Sequence, residues 1–230
     1  EEPPRIDTGD SSRRTDPQLD AIIPDHPMAS YDMKDVIRSI VDNGDFFEVH
    51  ELYAQNIIVG FARLDGRTIG IIANQPMFNA GAMDTDGIDK VISFLCLCDS
   101  FNVPLVFFHD IPGFLVGKEA ERRRVAARVM NYMNALGLLT VPKISIVVRK
   151  SYGMAFWNMA GSGCGTNFIV AWPTAEIAVM GAAGAANIIH RSKANPSCRV
   201  FMVHLPVAEC SMRSPDSGHR PLTIPSGVIA

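Results

Sequence analysis

The residues best placed to do chemistry stand in two short turns. The first holds Ser151, Tyr152, Gly153, Met154 and Ala155, directly after an apolar, β-branched run of Ile144, Ile146, Val147 and Val148. Such a run suits a strand buried on both faces, with Arg149 and Lys150 marking where it surfaces. Ser151 is then a fit N-cap for a helix whose first turn carries Tyr152, Gly153, Met154 and Ala155. Main-chain N–H groups at such a start lack intrahelical acceptors and can bind an anion. The expectation is a cradle for negative charge on a reacting oxygen; an ordinary strand-to-helix junction explains the same spacing equally well.

The second turn is Asp110, Ile111, Pro112, Gly113 and Phe114, which follows the strand expected over 103–108. Pro-Gly forces a bend, and Gly113 lets a ligand approach the backbone closely. In open α/β folds ligands lie beyond the carboxyl ends of strands, where both turns would sit. His109 beside Asp110 fits a packing and hydrogen-bonding pair better than an acid–base pair. The arginine run at 122, 123, 124 and 128 reads as a solvated helix face. A third small-residue turn, 181–186, lacks the spacing and lysine of a phosphate-binding loop, and packing explains it. No Ser-His-Asp set, CxxC pair, HExxH helix or pair of catalytic carboxylates is evident, and no metal site is expected. An enzyme built this way works through main-chain donors and borrowed chemistry.

The elements that must position these turns follow from hydrophobic periodicity. Met33, Val36, Ile37, Ile40 and Val41 predict an amphipathic helix over 33–42. Runs at 56–62 and 68–73 flank Asp65-Gly66, a hairpin turn signal. Residues 81–87 read as a loop and 88–101 as a helix with Val91, Ile92, Leu95 and Cys98 on one face. Further elements are a helix over 119–138, strands at 168–172 and 176–180, and a helix from 181. Alternating strand pairs and helices argue for a mixed α/β core built of successive ββα turns.

The 230 residues, 47% hydrophobic and 20% charged, suffice for one large domain. A net charge of -3 is too mild to argue for nucleic acid or an anionic membrane. No apolar stretch reaches the roughly twenty residues that span a bilayer, and the polar start does not read as a signal peptide. The expectation is therefore a soluble intracellular chain, of bacterial cytoplasm or mitochondrial matrix. The five cysteines have neither disulfide-framework nor metal-ligand spacing and read as free thiols. Residues 1–18 read as a linker, as though something preceded them, although a disordered arm explains them as well.

Four long motifs occur in order: NIIVGFARLDGRTIGIIANQP, FLCLCDSFNVPLVFFHDIPGF, TVPKISIVVRKSYGMAFWNMAG and AWPTAEIAVMGAAGAANII. Together the chain resembles the C-terminal half of the carboxyltransferase component of biotin-dependent acyl-CoA carboxylases, the propionyl-CoA/acetyl-CoA carboxylase beta-subunit type. The resemblance implies a crotonase-like (ClpP/crotonase) α/β fold, a ββα superhelix, with linker 1–18, carboxyltransferase domain 19–191 and an atypical tail 192–230. It implies transfer of a carboxyl group from carboxybiotin, on a carrier protein, to the α-carbon of an acyl-CoA. Implied partners are biotin carboxyl carrier protein, biotin carboxylase, an N-terminal carboxyltransferase half and further copies in a homo-oligomer. By position, the N–H groups of Met154 and Ala155 match the family's oxyanion hole for the biotin carbonyl, with Gly113, Phe114 and Gly153 also against the cofactor. The thioester's own hole would belong to the absent half.

Some positions depart from the pattern. Met154 stands where the family commonly has Gly, and Trp157 stands at a position associated with acyl-chain choice, so it is assigned to substrate binding. The helix after Phe114 has Arg123-Arg124 and Arg128-Val129-Met130-Asn131 in place of the usual Gly-Gly and His-Gly-Ala-Lys. Two other readings stay open: a biotin-dependent acyl-CoA decarboxylase subunit, and a non-catalytic assembly subunit.

Overall fold

The computed structural model describes residues 2–11, 13–26 and 28–189; the expected tail, with Cys198 and Cys210, lies outside them. The frame is a seven-stranded sheet formed by β1 (Phe46–Val49), β2 (Ile57–Leu64), β3 (Arg67–Asn74), β4 (Leu105–Ile111), β5 (Lys143–Tyr152), β6 (Phe168–Ala171) and β7 (Glu176–Ala178). The order is β1-β2-β3-β4-β5-β6, with β7 also paired to β5. β1, β2 and β3 are antiparallel neighbours, and from β3 onward every pairing is parallel.

The hairpin between β2 and β3 closes where the sequence signals it: Asp65 and Gly66 both have positive φ, 51° and 71°, as a two-residue turn requires. β4 lies in the middle of the sheet, and all seven of its residues are buried: an apolar run, Leu105 to Phe108, as a parallel strand covered on both faces demands, then His109, Asp110 and Ile111.

Helices cover the sheet from both sides. α2 (Met33–Ile40) starts where the Asp32 carboxylate accepts from Lys34 N at 2.9 Å, and it buries Met33, Val36 and Ile37 against β2, β3 and β4. α3 (Thr85–Ser100) is capped by Asp84, which accepts from Gly87 N at 2.8 Å. Its inner face is Ile88, Val91, Phe94, Leu95 and Cys98, all buried on the opposite side of the sheet with α5 (Val125–Leu138). Lys90 is also buried there, donating to the carbonyls of Tyr53 and Ile57 at 2.7 Å each. Burial lowers its ammonium to about 8.

The first residues are tied to this frame. Ile6 N donates to Gly66 O at 3.0 Å, Thr8 Oγ1 to the Asp42 carboxylate at 2.9 Å, and Arg14 to Val41 O at 2.5 Å. A short helix α1 (Leu19–Ile22) follows and packs beside α2.

Three local expectations are corrected. The strand expected to be buried on both faces leaves Ile144 38% exposed, because no described element covers that corner of the sheet. Arg149 does not surface: it is 8% exposed, held over the Tyr31 ring and paired with buried Asp110. The helix expected over 119–138 is two helices, α4 (Lys118–Arg122) and α5, broken where Arg124 takes φ 56°, ψ 42°.

Candidate functional site

Both sequence-selected turns begin in the last residues of adjacent parallel strands and run on past their carboxyl ends, since β4 ends at Ile111 and β5 at Tyr152, with Ile111 opposite Ser151 in register. Ser151 is not the helix cap. It belongs to β5, fully buried, and its Oγ lies 3.0 Å from His109 Nδ1. The helix α6 (Met154–Asn158) begins later, after Gly153 with φ 58° and ψ -140°, a conformation that glycine alone tolerates readily. Tyr152 and Gly153 therefore precede the first turn. Gly153 N donates to Ala178 O of β7 at 2.9 Å, which pins the bend.

Phe156 N turns back to Gly153 O at 3.2 Å, whereas nothing among the described residues accepts from the N–H of Met154 or of Ala155. These are the free donors expected at a helix start. The other end of α6 is closed: Ser145 Oγ donates to the carbonyls of Met159 and Ala160, at 3.2 and 2.7 Å, and Thr166 Oγ1 to Ala160 O at 2.5 Å. Asn158 Nδ2 reaches Val129 O at 3.4 Å, linking α6 to α5, and the Phe156 ring meets His109 edge-on with centroids 6.0 Å apart. A helix of five residues has little stability of its own. Here the Ser145 and Thr166 hydroxyls, His109 and α5 hold it in place.

His109 and Asp110 support this frame. Burial pushes the His109 imidazole down to about 3, with a smaller opposing contribution from the Met159 backbone, so it stays neutral and packs. Asp110 Oδ2 receives Arg149 Nε at 3.0 Å and Nη2 at 2.9 Å, while Arg149 Nη1 donates to Ala29 O at 2.8 Å. Asp110 N donates to Asn74 Oδ1 at 3.2 Å. The cluster ties β3, β4, β5 and the segment before α2 together beneath the two turns. At the edge of the site the Tyr152 hydroxyl donates to the Glu176 carboxylate; burial first, then that carboxylate, raises the phenol.

Phe114 and Met154, far apart in sequence, wall one groove of about 310 Å³. Its other walls were not assigned to a site from the sequence: Leu115, Val116 and residues of α4 and α5, among them Val125 and also Val129 and Met130, which the sequence marked only as departures from the family pattern. Phe114 is fixed by a parallel bridge to Met83, with Met83 N donating to Gly113 O at 3.1 Å and Leu115 N to Met83 O at 2.9 Å. Gly113, at φ 146°, has open space where a side chain would stand. Trp157, 46% exposed on α6, lies outside the groove. Arg123 and Arg128 are tied to α3 by ion pairs to Asp86 and Asp89, at 2.6 and 3.2 Å. Among the described residues no group of three or more His, Cys, Asp or Glu is placed to hold a metal, and no helix is long and apolar enough to cross a membrane.

A protein-family model described as carboxyl transferase domain matches residues 1–205. Methylmalonyl-CoA decarboxylase subunit alpha of Veillonella parvula is 47% identical over 191 residues, covering 83% of this chain and 38% of that protein. Propionyl-CoA carboxylase beta chain of Roseobacter denitrificans is 45% identical over 191 residues, with the same two coverages. The crystal structure of transcarboxylase 12S, a hexamer with methylmalonyl-coenzyme A bound, superposes with TM-score 0.80 at 42% identity, over 83% of this chain and 36% of that one. The fold is thus the crotonase-like α/β fold expected. The chain spans less than two-fifths of the length of these proteins.

Proposed function

We propose, from the premise that the chain belongs to the carboxyl transferase domain family, that it is the C-terminal half of a biotin-dependent acyl-CoA carboxyltransferase. One observation carries the reading to particular atoms: the Met154 and Ala155 amides, unpartnered within the described residues, open a helix beyond the strand ends, and Met154 itself walls a groove there. The residues fit biotin's ureido oxygen, which asks for N–H donors and an apolar surround rather than a titrating side chain. When bound, carboxybiotin on its carrier protein supplies the activated carboxyl group and, in giving it up, develops negative charge on that oxygen.

The chain's own part is electrostatic and positional. The two amides are fixed by the Gly153 bend before any charge develops, so stabilising it needs no reorganisation. Gly113 leaves room for close approach. His109, held neutral, adds no charge beside the cradle. Acyl-CoA, the carrier, biotin carboxylase, an N-terminal half and further copies of the chain are the partners this reading requires. The transcarboxylase relative is itself a hexamer.

The test is label transfer from carboxybiotin to acetyl-, propionyl- and longer acyl-CoA by the complete complex, N-terminal half included. Labelled carboxyacyl-CoA is the expected product; a folded complex that labels no acyl-CoA overturns the reading. The Veillonella relative favours a second reading in which the same site runs towards decarboxylation. Net transfer from carboxyacyl-CoA to biotin, faster than the forward direction, would select it.

A further inference from the structure

We propose that the groove walled by Phe114, Val116, Val125, Val129, Met130 and Met154 seats the aliphatic tail of the acceptor acyl-CoA, so that the chain serves a medium-length acyl thioester in preference to a two- or three-carbon one. The inference rests on the reading above, in which the Met154 and Ala155 amides mark the reacting end. Three observations carry it.

The first is chemistry. Of the ten residues that line the groove only Glu121 is charged, and no cation faces it. The nearby Arg123 and Arg128 are committed to Asp86 and Asp89. A phosphate or carboxylate has no counter-charge here, whereas an alkyl chain needs none.

The second is size. About 310 Å³ reaches the lower end of the roughly 300–1,000 Å³ found for pockets that enclose ligands of drug size, far more than an acetyl or propionyl tail occupies. The floor, Val125 and Val129, is buried, and the rim is left open to solvent: Val116 is 92% exposed, Met130 54% and Met154 49%. Apolar rims of this kind are costly to leave wet and gain by being covered. Two methionines in the lining, Met130 and Met154, can adjust to chains of differing length.

The third is position. Transfer requires the acyl α-carbon within about 3–3.5 Å of the incoming carboxyl group. The tail must therefore leave the reacting centre beside Met154, and the groove is the apolar space that Met154 itself walls. A second pocket near the strand ends, about 290 Å³ between residues 23–25, β5 and residues 172–176, has Asp25, Arg149, Lys150 and Glu176 in its lining and does not suit an alkyl chain.

The experiment is kcat/KM for straight-chain acyl-CoAs from acetyl to decanoyl in the complete complex. The expected result is a rise of about fourfold per added methylene until the groove is full. Ala126→Trp, at an exposed position on the groove wall, should collapse the decanoyl-over-acetyl preference by more than tenfold with the melting temperature unchanged. Met130→Ala, also exposed, should move the optimum to a longer chain. Flat or falling chain-length dependence in a complex that still carboxylates acetyl-CoA sinks this proposal and leaves the proposed function standing; a complex that carboxylates no acyl-CoA sinks both. If Ala126→Trp slows all acceptors equally, along with carboxybiotin breakdown in the absence of acyl-CoA, the groove holds the carrier's biotin arm and the proposal is overturned.

Discussion

Around β2, β3 and β4 both faces of the sheet are covered, by α2 on one side and by α3 and α5 on the other; along β5 and β6 one face is not. Ile144 and Phe168 are direct neighbours across the β5–β6 pairing, Ile146 and Val170 the next pair, and Ile144, Phe168 and Val170 are all exposed. Met154 and Trp157, on the α5 side of the sheet, are exposed as well, as are Ile177 and Val179 on and after β7. Parallel strands are ordinarily covered on both faces, and a contiguous apolar surface marks a place of contact. That open face is the α2 side of β5 and β6; α6, its amide donors and the groove lie on the α3–α5 side of the same strands.

The contrast breaks most severely at the seam between the two regions. Asp110→Ala leaves Arg149 buried beneath the strand ends without its carboxylate, and a loss of about 3–5 kcal/mol of unfolding free energy in urea is expected. A loss under about 1 kcal/mol would mean that the pair does not hold the seam.

His109 gives the next largest effect, through pH. Its folded value near 3 lies below the ordinary 6.5, so between these values the unfolded chain holds the extra proton. The stability that neutral His109 contributes is fully present above about pH 6.5 and is lost as pH falls through the interval, at up to about 1.4 kcal/mol per unit. Urea midpoints from about pH 7 to 4 should fall more steeply for the wild-type chain than for His109→Gln. Identical slopes would contradict the assignment.

On the open face the expected effect is smallest. Phe168→Ser should change the stability of the chain alone by no more than about 0.5 kcal/mol, while weakening its association with whatever covers β6. A cost of several kcal/mol to the isolated chain would show that the face is already closed.

Much of the covered region was legible in the sequence, because a helix over a sheet stamps its period on the residues. Met33, Val36 and Ile37, and likewise Val91, Leu95 and Cys98, are buried as their spacing predicts. Asp65-Gly66 turns where expected because its φ values admit few other residues. The site was legible in part. Phe114 and Met154, chosen from the sequence, wall one groove, and the two turns stand at the ends of neighbouring strands. Arg149 and Ser151 were misread because their burial depends on Asp110 and His109, about forty residues earlier, and a charged or hydroxyl residue near a strand end carries no local sign of such a partner. Most of the groove was missed because it needs the break at Arg124, an αL conformation that a non-glycine residue does not advertise.

The central claim is that the Met154 amide stabilises charge during transfer, and proline substitution tests it most directly. Proline is tolerated at the first position of a helix, so Met154→Pro deletes the N–H while leaving α6 in place. In the complete complex with acetyl-CoA as acceptor it should lower kcat on the order of a hundredfold or more. Met154→Ala, which keeps the donor, should remain within severalfold of wild type. A Met154→Pro complex that transfers carboxyl groups at the wild-type kcat would contradict the account.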